Sequence, residues 1–460
     1  MATAGNKMES NPILDAAFEK SRVALKAIEG YSQEQVDALC RAMGKVIFDN
    51  AELLAKEAVE ETGLGVYEHK ILKNQNIPML IYTFQKGQKS VGEIKRDPAK
   101  GLIYFAKPKG IVAAVVPITN PVVTPCGNAM MAIKGRNTLI MAPHPKAKKI
   151  TAHTVRLMNE AIKPLGAPEN LIQVLEDPTI EMTQELMARA NVVVATGGQA
   201  LVKAAYSSGK PAYGVGQGNI QVIIDKDADL DLAAGSVIAG RTFDGGVICA
   251  GEQCIIAPAE MHAEVMKAFV KAGAFYVSDE PTVDKFRKAI FPDGKINRDI
   301  VGKPVQVIAG IAGVNVPAET KVIILKATGR GRADLLCKEK MCPVMITLTS
   351  SSFEDAVEIA KANLFYEGAG HSAAVYSKND KHIEYAGSQL PVGRVAINHP
   401  TIFVNGAPMN GFTPTITLGC GAWGGNSTSE NLTFKHLIDV TEVGYPLPPK
   451  EMPSPDKIWE

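Results

Sequence analysis

From Gly110 onward the chain alternates short, largely apolar β-rich runs with longer amphipathic ones, and this rhythm constrains the fold more than any other feature. Residues 111–116, 138–141, 171–174, 192–195 and 221–224 have strand length and β-branched character. Residues 122–133, 148–162, 180–190 and 200–207, lying between them, have helical spacing. Continuous apolar strands separated by helices predict a parallel sheet covered on both faces. A second series follows, with strands at 254–257, 322–325, 344–348 and 395–398 and helices at 259–272 and 353–362. Upstream of both, Ser32 and Gln35 form a capping box. Val36, Leu39, Met43, Val46 and Ile47 recur at helical spacing until Gly63 and Gly65.

At about 150 residues per domain, 460 residues make roughly three domains or two large ones. Lys+Arg 49 against Asp+Glu 48 leaves a formal charge of +1, with no excess of cations for a phosphate backbone. We therefore expect no nucleic-acid partner. No apolar run approaches the roughly 18 residues of a membrane helix. The opening MATAGNKMESNP has neither an export signal nor an Arg-rich amphipathic pattern. The expectation is a soluble, cytoplasmic protein. The seven cysteines are too few and too scattered for a disulfide framework. Zinc sites use two to four intervening residues together with a second close pair or a histidine pair, and the C-x4-C pairs Cys249/Cys254 and Cys337/Cys342 do not make that pattern, so no metal is expected.

Four segments can carry chemistry. In GVICAGEQC (246–254), small neighbours leave the Cys249 sulfur accessible, and free backbone N–H groups would lower its pKa. A buried structural cysteine has the same local sequence. PITNP, comprising Pro117, Ile118, Thr119, Asn120 and Pro121, joins a strand to a helix, where an Asn amide can donate to a developing oxyanion or merely cap the turn. In ATGG, Thr196, Gly197 and Gly198 let a backbone approach a pyrophosphate, or let a helix pack on a strand. GVGQGN (214–219) puts flexible backbone beside a ligand or turns a corner. His371 in EGAGH is the best-exposed acid/base candidate, and a core histidine reads the same way. His144 in APHPKAKK suits a cofactor-facing loop, and Glu339 in KEKMCPV can accept from a ribose or from a neighbouring lysine.

In this order, PITNP, APHPKAKK, VVVATGG, VKAAYSSGKPAYGVG, FDGGVICAGEQ, CKEKMCPV, EGAGH and TLGCGAWGGNS resemble the aldehyde dehydrogenase superfamily, specifically its coenzyme-A-acylating branch. The resemblance runs from about Tyr31 to the C-terminus. It implies an α/β fold of two Rossmann-like domains with a β oligomerisation flap: a cofactor-binding domain over 1–227 with bridging strands near 101–112, a catalytic domain over 228–428, and a C-terminal strand and tail over 429–460. It implies Cys249 as nucleophile, Asn120 with the Cys249 N–H as oxyanion hole, and His371 as the proton-handling residue. Pro117 to Pro121, His144, Thr196, Gly197, Gly198, Gly216, Glu339 and Leu418 would line the cofactor.

Hydrolytic members carry a glutamate roughly 35 residues before the cysteine to activate water. The matching position here is Gly214. A thioester without that base should wait for the thiol of coenzyme A. Pro143-His144-Pro145 with Lys146, Lys148 and Lys149, where NAD-preferring members hold ribose with a glutamate, favours NADP, with NAD possible. AIKGRNTLI, PHPKAKK and GCGAWGGNSTSENLT are most similar to acylating succinate-semialdehyde dehydrogenases. Cys254, where those enzymes usually have Ser, and Thr401, Ile402 and Phe403 of TIFVNGA depart from them at the expected aldehyde tail, so sulfoacetaldehyde competes as the small anionic aldehyde. Arg394 would serve either anion. A hydrolytic enzyme and a non-catalytic nucleotide-binding homologue are the remaining alternatives, and no fused alcohol dehydrogenase is expected after Glu460. Residues 431–440 alternate as an edge strand would, consistent with the family's homodimers or homotetramers.

Overall fold

The computed structural model describes residues 11–449 and 452–460, so most of the opening segment read for export signals, and two residues of the Pro-rich tail, lie outside the described residues. The first strands, β1 (Gly92–Asp97) and β2 (Leu102–Pro108), pair antiparallel. Next come β3 (Ile111–Val116), β4 (Thr138–Pro143), β5 (Ile172–Val174), β6 (Val192–Thr196) and β7 (Ala212–Val215), a parallel sheet in the order β5-β4-β3-β6-β7. A second parallel sheet holds β8 (Ile220–Ile224), β9 (Glu252–Pro258), β10 (Ala274–Val277), β11 (Val322–Lys326), β12 (Val344–Ser350), β13 (Ala373–Tyr376) and β14 (Val395–Ile397), in the order β10-β11-β12-β9-β8-β13-β14. The last strand, β15 (Ile438–Gly444), returns to pair antiparallel with β2.

The period of two explains why β3 is buried along its whole length. Val112, Ala114 and Val116 face the core under the helices Gln33–Asp49, Val123–Lys134 and Lys148–Ile162. Ile111, Ala113 and Val115 face the opposite core, with Leu14 and Phe18 of the helix Pro12–Ile28. Ser32 and Gln35 close their capping box, and Gly63 ends the helix Ala51–Thr62 in the left-handed region at φ 66°.

Two readings shift. The strand at 221–224, taken as the last of the first series, lies between β9 and β13 in the second sheet, so the chain changes sheets across residues 216–219, ahead of 227. Nothing in its short, largely apolar sequence tells one buried sheet from another. The edge strand expected at 431–440 starts at Ile438, because Phe434–Leu437 is a short 3-10 turn. Strands β7, β10 and β13, each four residues long, were not read from the sequence. No helix among the described residues is long and apolar enough to cross a membrane.

Candidate active site

The carboxyl ends of β3, β4, β6 and β7 face the amino ends of β8, β9 and β12, and the candidate residues gather between the two sheets. The chain leaves the helix Leu230–Thr242 through three successive left-handed residues, Asp244 (φ 52°), Gly245 (φ 67°) and Gly246 (φ 75°). Asp tolerates this region better than most residues but at a cost, and here the surroundings hold it in place. Its carboxylate accepts from Val66 N–H at 2.9 Å, from Lys70 Nζ at 3.1 Å and from Lys73 Nζ, while its own N–H donates to His69 Nδ1 at 2.9 Å. The two ammonium groups hold the Asp244 carboxyl below its ordinary range despite burial. Burial, and then the neighbouring Lys73 charge, lower Lys70 to about 8. Arg241, fully buried, ties down the rest of the turn by donating to the carbonyls of Gly246, Lys340 (2.8 Å) and Glu252 (3.2 Å).

Cys249 follows, half-buried, just before β9. A Cβ at Gly218 would stand 1.8 Å from the Cys249 carbonyl oxygen, so GVGQGN packs backbone to backbone against the cysteine, which only glycine permits. The sequence reading expected a lowered thiol pKa. Instead burial, followed by the charges of Glu339 and Cys420, pushes it up to about 12.

Two cavities meet at this sulfur. One, about 630 Å³, is lined by Pro117, Ile118, Thr119, His144, Gly197, Gly198, Gly216 and Glu339. It opens at the strand-order switch between β3 and β6, where doubly wound sheets take ligands. A Cβ on Gly198 or Gly216 would meet nothing within 4 Å, so backbone faces open space there, as a dinucleotide requires. The other, about 400 Å³, is walled by Leu72, Ile77, Phe243, Ile402, Phe403 and Leu418, with Lys73 as its charged group. Asn120, Thr196, Val215 and Cys249 line both.

Asn120 Oδ1 accepts from Lys73 Nζ at 2.8 Å. Glu339 accepts from Gly218 N–H at 3.2 Å, and burial together with Glu367 raises its carboxyl to about 8. His144 Nδ1 accepts from Lys146 N–H at 3.1 Å, which leaves Nε2 as the proton-bearing nitrogen of the neutral ring. The lysines beside it are not all free. Lys148 pairs with Asp177 at 2.7 Å, and Glu61 takes the N–H groups of Lys149 (2.9 Å) and Ile150 (2.7 Å). Among the described residues, no group of three His, Cys, Asp or Glu is placed to hold a metal ion.

Other residues singled out from sequence stand elsewhere. Pro121 is buried outside both cavities and accepts from Thr151 Oγ1 at 3.3 Å. Leu418 belongs to the apolar cavity, not to the dinucleotide side. His371 is 0 % exposed and lines neither cavity; burial drops its pKa to about 3, and neither ring nitrogen has a hydrogen-bond partner. The glycines of EGAGH serve close packing: a Cβ on Gly370 would fall 1.7 Å from the Cys420 carbonyl oxygen. Cys254 points into the core, its sulfur 3.6 Å from Asn363 Nδ2. Thr401 is buried behind the cavity, its N–H donating to Glu252 at 2.8 Å. Arg394 lies outside both cavities, donating to the carbonyls of His371 (2.7 Å) and Gly419 and to Asn431 Oδ1 (2.8 Å).

The position opposite the cysteine is also corrected. A Cβ on Gly214 would point toward the helix Gln199–Tyr206, 2.9 Å from Val202 Cγ1 and 3.0 Å from Tyr206 Cε2. Its neighbour Val215, on the other side of the pleat, opens onto both cavities with Cys249. Sequence reasoning also passed over Lys73. Its signal was a helix, Tyr67–Gln85, whose buried positions include Lys70, Lys73, Asn74 and Gln85, an inward face too polar for packing alone.

Comparison with known proteins agrees with this arrangement. The chain is 58% identical over 452 residues to the succinate-semialdehyde dehydrogenase (acetylating) of Clostridium kluyveri, covering 98% of this chain and 100% of that one. It is 38% identical to the sulfoacetaldehyde dehydrogenase (acylating) of Bilophila wadsworthia, covering 96% and 97%. The crystal structure of an acetylating aldehyde dehydrogenase from Geobacillus thermoglucosidasius superposes with a TM-score of 0.91 at 37% identity, covering 96% of this chain and 98% of that one. With the model of the aldehyde dehydrogenase family matching residues 6–285 and 324–433, this chain, whose lone half-buried thiol stands where a dinucleotide-shaped cavity meets an apolar one, belongs to that family.

Proposed function

We propose that the protein oxidises a small anionic aldehyde, with succinate semialdehyde favoured, and passes the acyl group to coenzyme A. The observation that carries this reading is Val215. The side chain facing Cys249 at the junction of the cavities is an isopropyl group, which cannot activate water, so the acyl-enzyme is left for a thiol.

In this reading Cys249 Sγ bonds to the carbonyl carbon, the thiol proton leaves to water, and the π pair moves onto oxygen. Asn120 Nδ2 and the Cys249 N–H hold that oxyanion. When bound, the nicotinamide dinucleotide supplies a two-electron hydride acceptor; Pro117 to Asn120, His144, Thr196 to Gly198, Gly216 and Glu339 would hold it. Hydride loss from the thiohemiacetal carbon leaves a thioester on Cys249. The thiol of coenzyme A then gives its proton to water as its sulfur bonds to the acyl carbon, the Cys249 thiolate departs and takes up a proton again, and each step is reversible. The five-stranded sheet carries the cofactor and the seven-stranded sheet the nucleophile.

The cofactor is read as NADP, with NAD accepted. Lys146 and Lys149 are the exposed cations offered to a 2′-phosphate, while Asp177 already pairs with Lys148. The enzyme is further read as a cytoplasmic homodimer or homotetramer. Sulfoacetaldehyde is the second substrate, favoured by the likeness to the Bilophila wadsworthia enzyme. The test is reduction of NADP and of NAD with succinate semialdehyde and with sulfoacetaldehyde, each with and without coenzyme A. Turnover that requires coenzyme A, fastest with succinate semialdehyde, is expected. Equal turnover without it, yielding free acid, would overturn the reading.

A further inference from the structure

Lys73 is an odd residue to find in the wall of an apolar cavity. Its side chain is 9% exposed, it faces Asp244 on one side, and on the other it donates to Asn120 Oδ1 at 2.8 Å. An ammonium group has donors and no acceptor, so the amide of Asn120 must turn its oxygen toward it. The Nδ2 group then points away, with Thr119 Oγ1 at 3.4 Å as a weak partner. Asp244, the other partner of Lys73, lies in the left-handed turn five residues before Cys249. One ammonium group from the helix Tyr67–Gln85 thus joins the turn that carries the nucleophile to the amide beside it.

We infer that Lys73 is a positioning residue for carbonyl addition, turning the Asn120 amide so that its N–H faces the junction at Cys249 and keeping it in register with the nucleophile's turn. This rests on the reading of Asn120 as oxyanion donor and adds the residue that orients it.

The test is a double-mutant cycle with two readouts. The first needs no nucleotide: succinate semialdehyde protects Cys249 from iodoacetamide by forming the thiohemiacetal, and the protecting concentration reports the addition equilibrium. The second is the single-turnover burst of reduced dinucleotide without coenzyme A. Asn120→Ala is expected to slow the burst about 100-fold. Lys73→Met should slow it about 10- to 30-fold and weaken protection, with KM for an uncharged aldehyde such as butyraldehyde within about 3-fold, since ground-state binding of a neutral chain does not use the ammonium group. If Lys73 acts through Asn120, the double variant should be within about 2-fold of Asn120→Ala alone. Lys73→Arg, which keeps a charged donor, should return to within about 5-fold of the parent. Multiplying effects in the double variant, or an arginine variant as slow as the methionine one, would overturn the inference. A full-rate Asn120→Ala would instead remove the oxyanion reading, and the inference with it. If Lys73→Met does not fold, Lys73→Gln, neutral and one bond too short to reach the amide, takes its place in the cycle.

Discussion

The two cavities that meet at Cys249 are built in different ways. The proposed dinucleotide side centres on strand ends, at Pro117 to Asn120, Thr196 to Gly198 and Gly216, where Gly198 and Gly216 leave the backbone open to the cavity. The aldehyde side is made of side chains from four separate stretches: Leu72 to Leu80, Phe243 to Ala250, Ile402 to Met409 and Thr415 to Leu418. Backbone sites are fixed by topology and glycine, and side-chain sites by what happens to project inward. The first should tolerate loss of the chemistry, while the second should depend on single side chains.

The largest expected effect tests that independence. Cys249→Ala should reduce acyl transfer by about 10⁴-fold or more while changing dinucleotide affinity, followed by fluorescence titration, by less than about 2-fold. Loss of dinucleotide binding, or retained turnover, would break the comparison. Arg394→Gln should lower stability by about 2–4 kcal/mol, because the carbonyls of His371 and Gly419 and the amide of Asn431 lose a charged donor. KM for the anionic aldehyde should stay within about 3-fold. A large KM increase with unchanged unfolding would return Arg394 to the substrate.

Val215→Glu sharpens the comparison further. A carboxylate there faces both cavities, and free-acid production without coenzyme A should rise about 10-fold or more over the parent, measured by product chromatography. Gly214→Glu should give no such gain, since its side chain meets Val202 and Tyr206. The last expectation, which leaves the protein unaltered, concerns titration. With the Cys249 pKa raised to about 12, thiolate is scarce at neutral pH and grows as pH rises toward that value. Alkylation of the nucleotide-free enzyme should therefore accelerate about tenfold per pH unit from 7 to 10 without a plateau. A plateau near 8.5 would mean an unshifted thiol.

The same contrast explains what the sequence made legible. Strands at 111–116 and 192–195, the helix 148–162 and the cavity-lining segments Pro117 to Asn120 and Thr196 to Gly198 could be read, because glycine and proline at strand–helix junctions mark backbone geometry locally. Cys254, Thr401 and Arg394 were placed at the aldehyde by their position in the chain, yet their side chains go to the core or to carbonyl groups. Whether a residue in an extended run faces a cavity or the interior turns on one step of pleat, as Gly214 and Val215 show. Lys73 was illegible because its partners lie 47 and 171 residues away.

The carbonyl of Cys249 rests against Gly218 and its turn is pinned by Arg241 and by Asp244 with its lysines, so the nucleophile is anchored by contacts that use none of the apolar side chains walling the aldehyde cavity. Leu72, Ile402, Phe403 and Ile416 are thereby free to drift. A lineage built on this chassis can trade one aldehyde for another through a handful of exchanges at the mouth, each neutral to the reacting sulfur. An engineer enlarging or recharging that mouth should find the same latitude, provided that Gly218 is left alone.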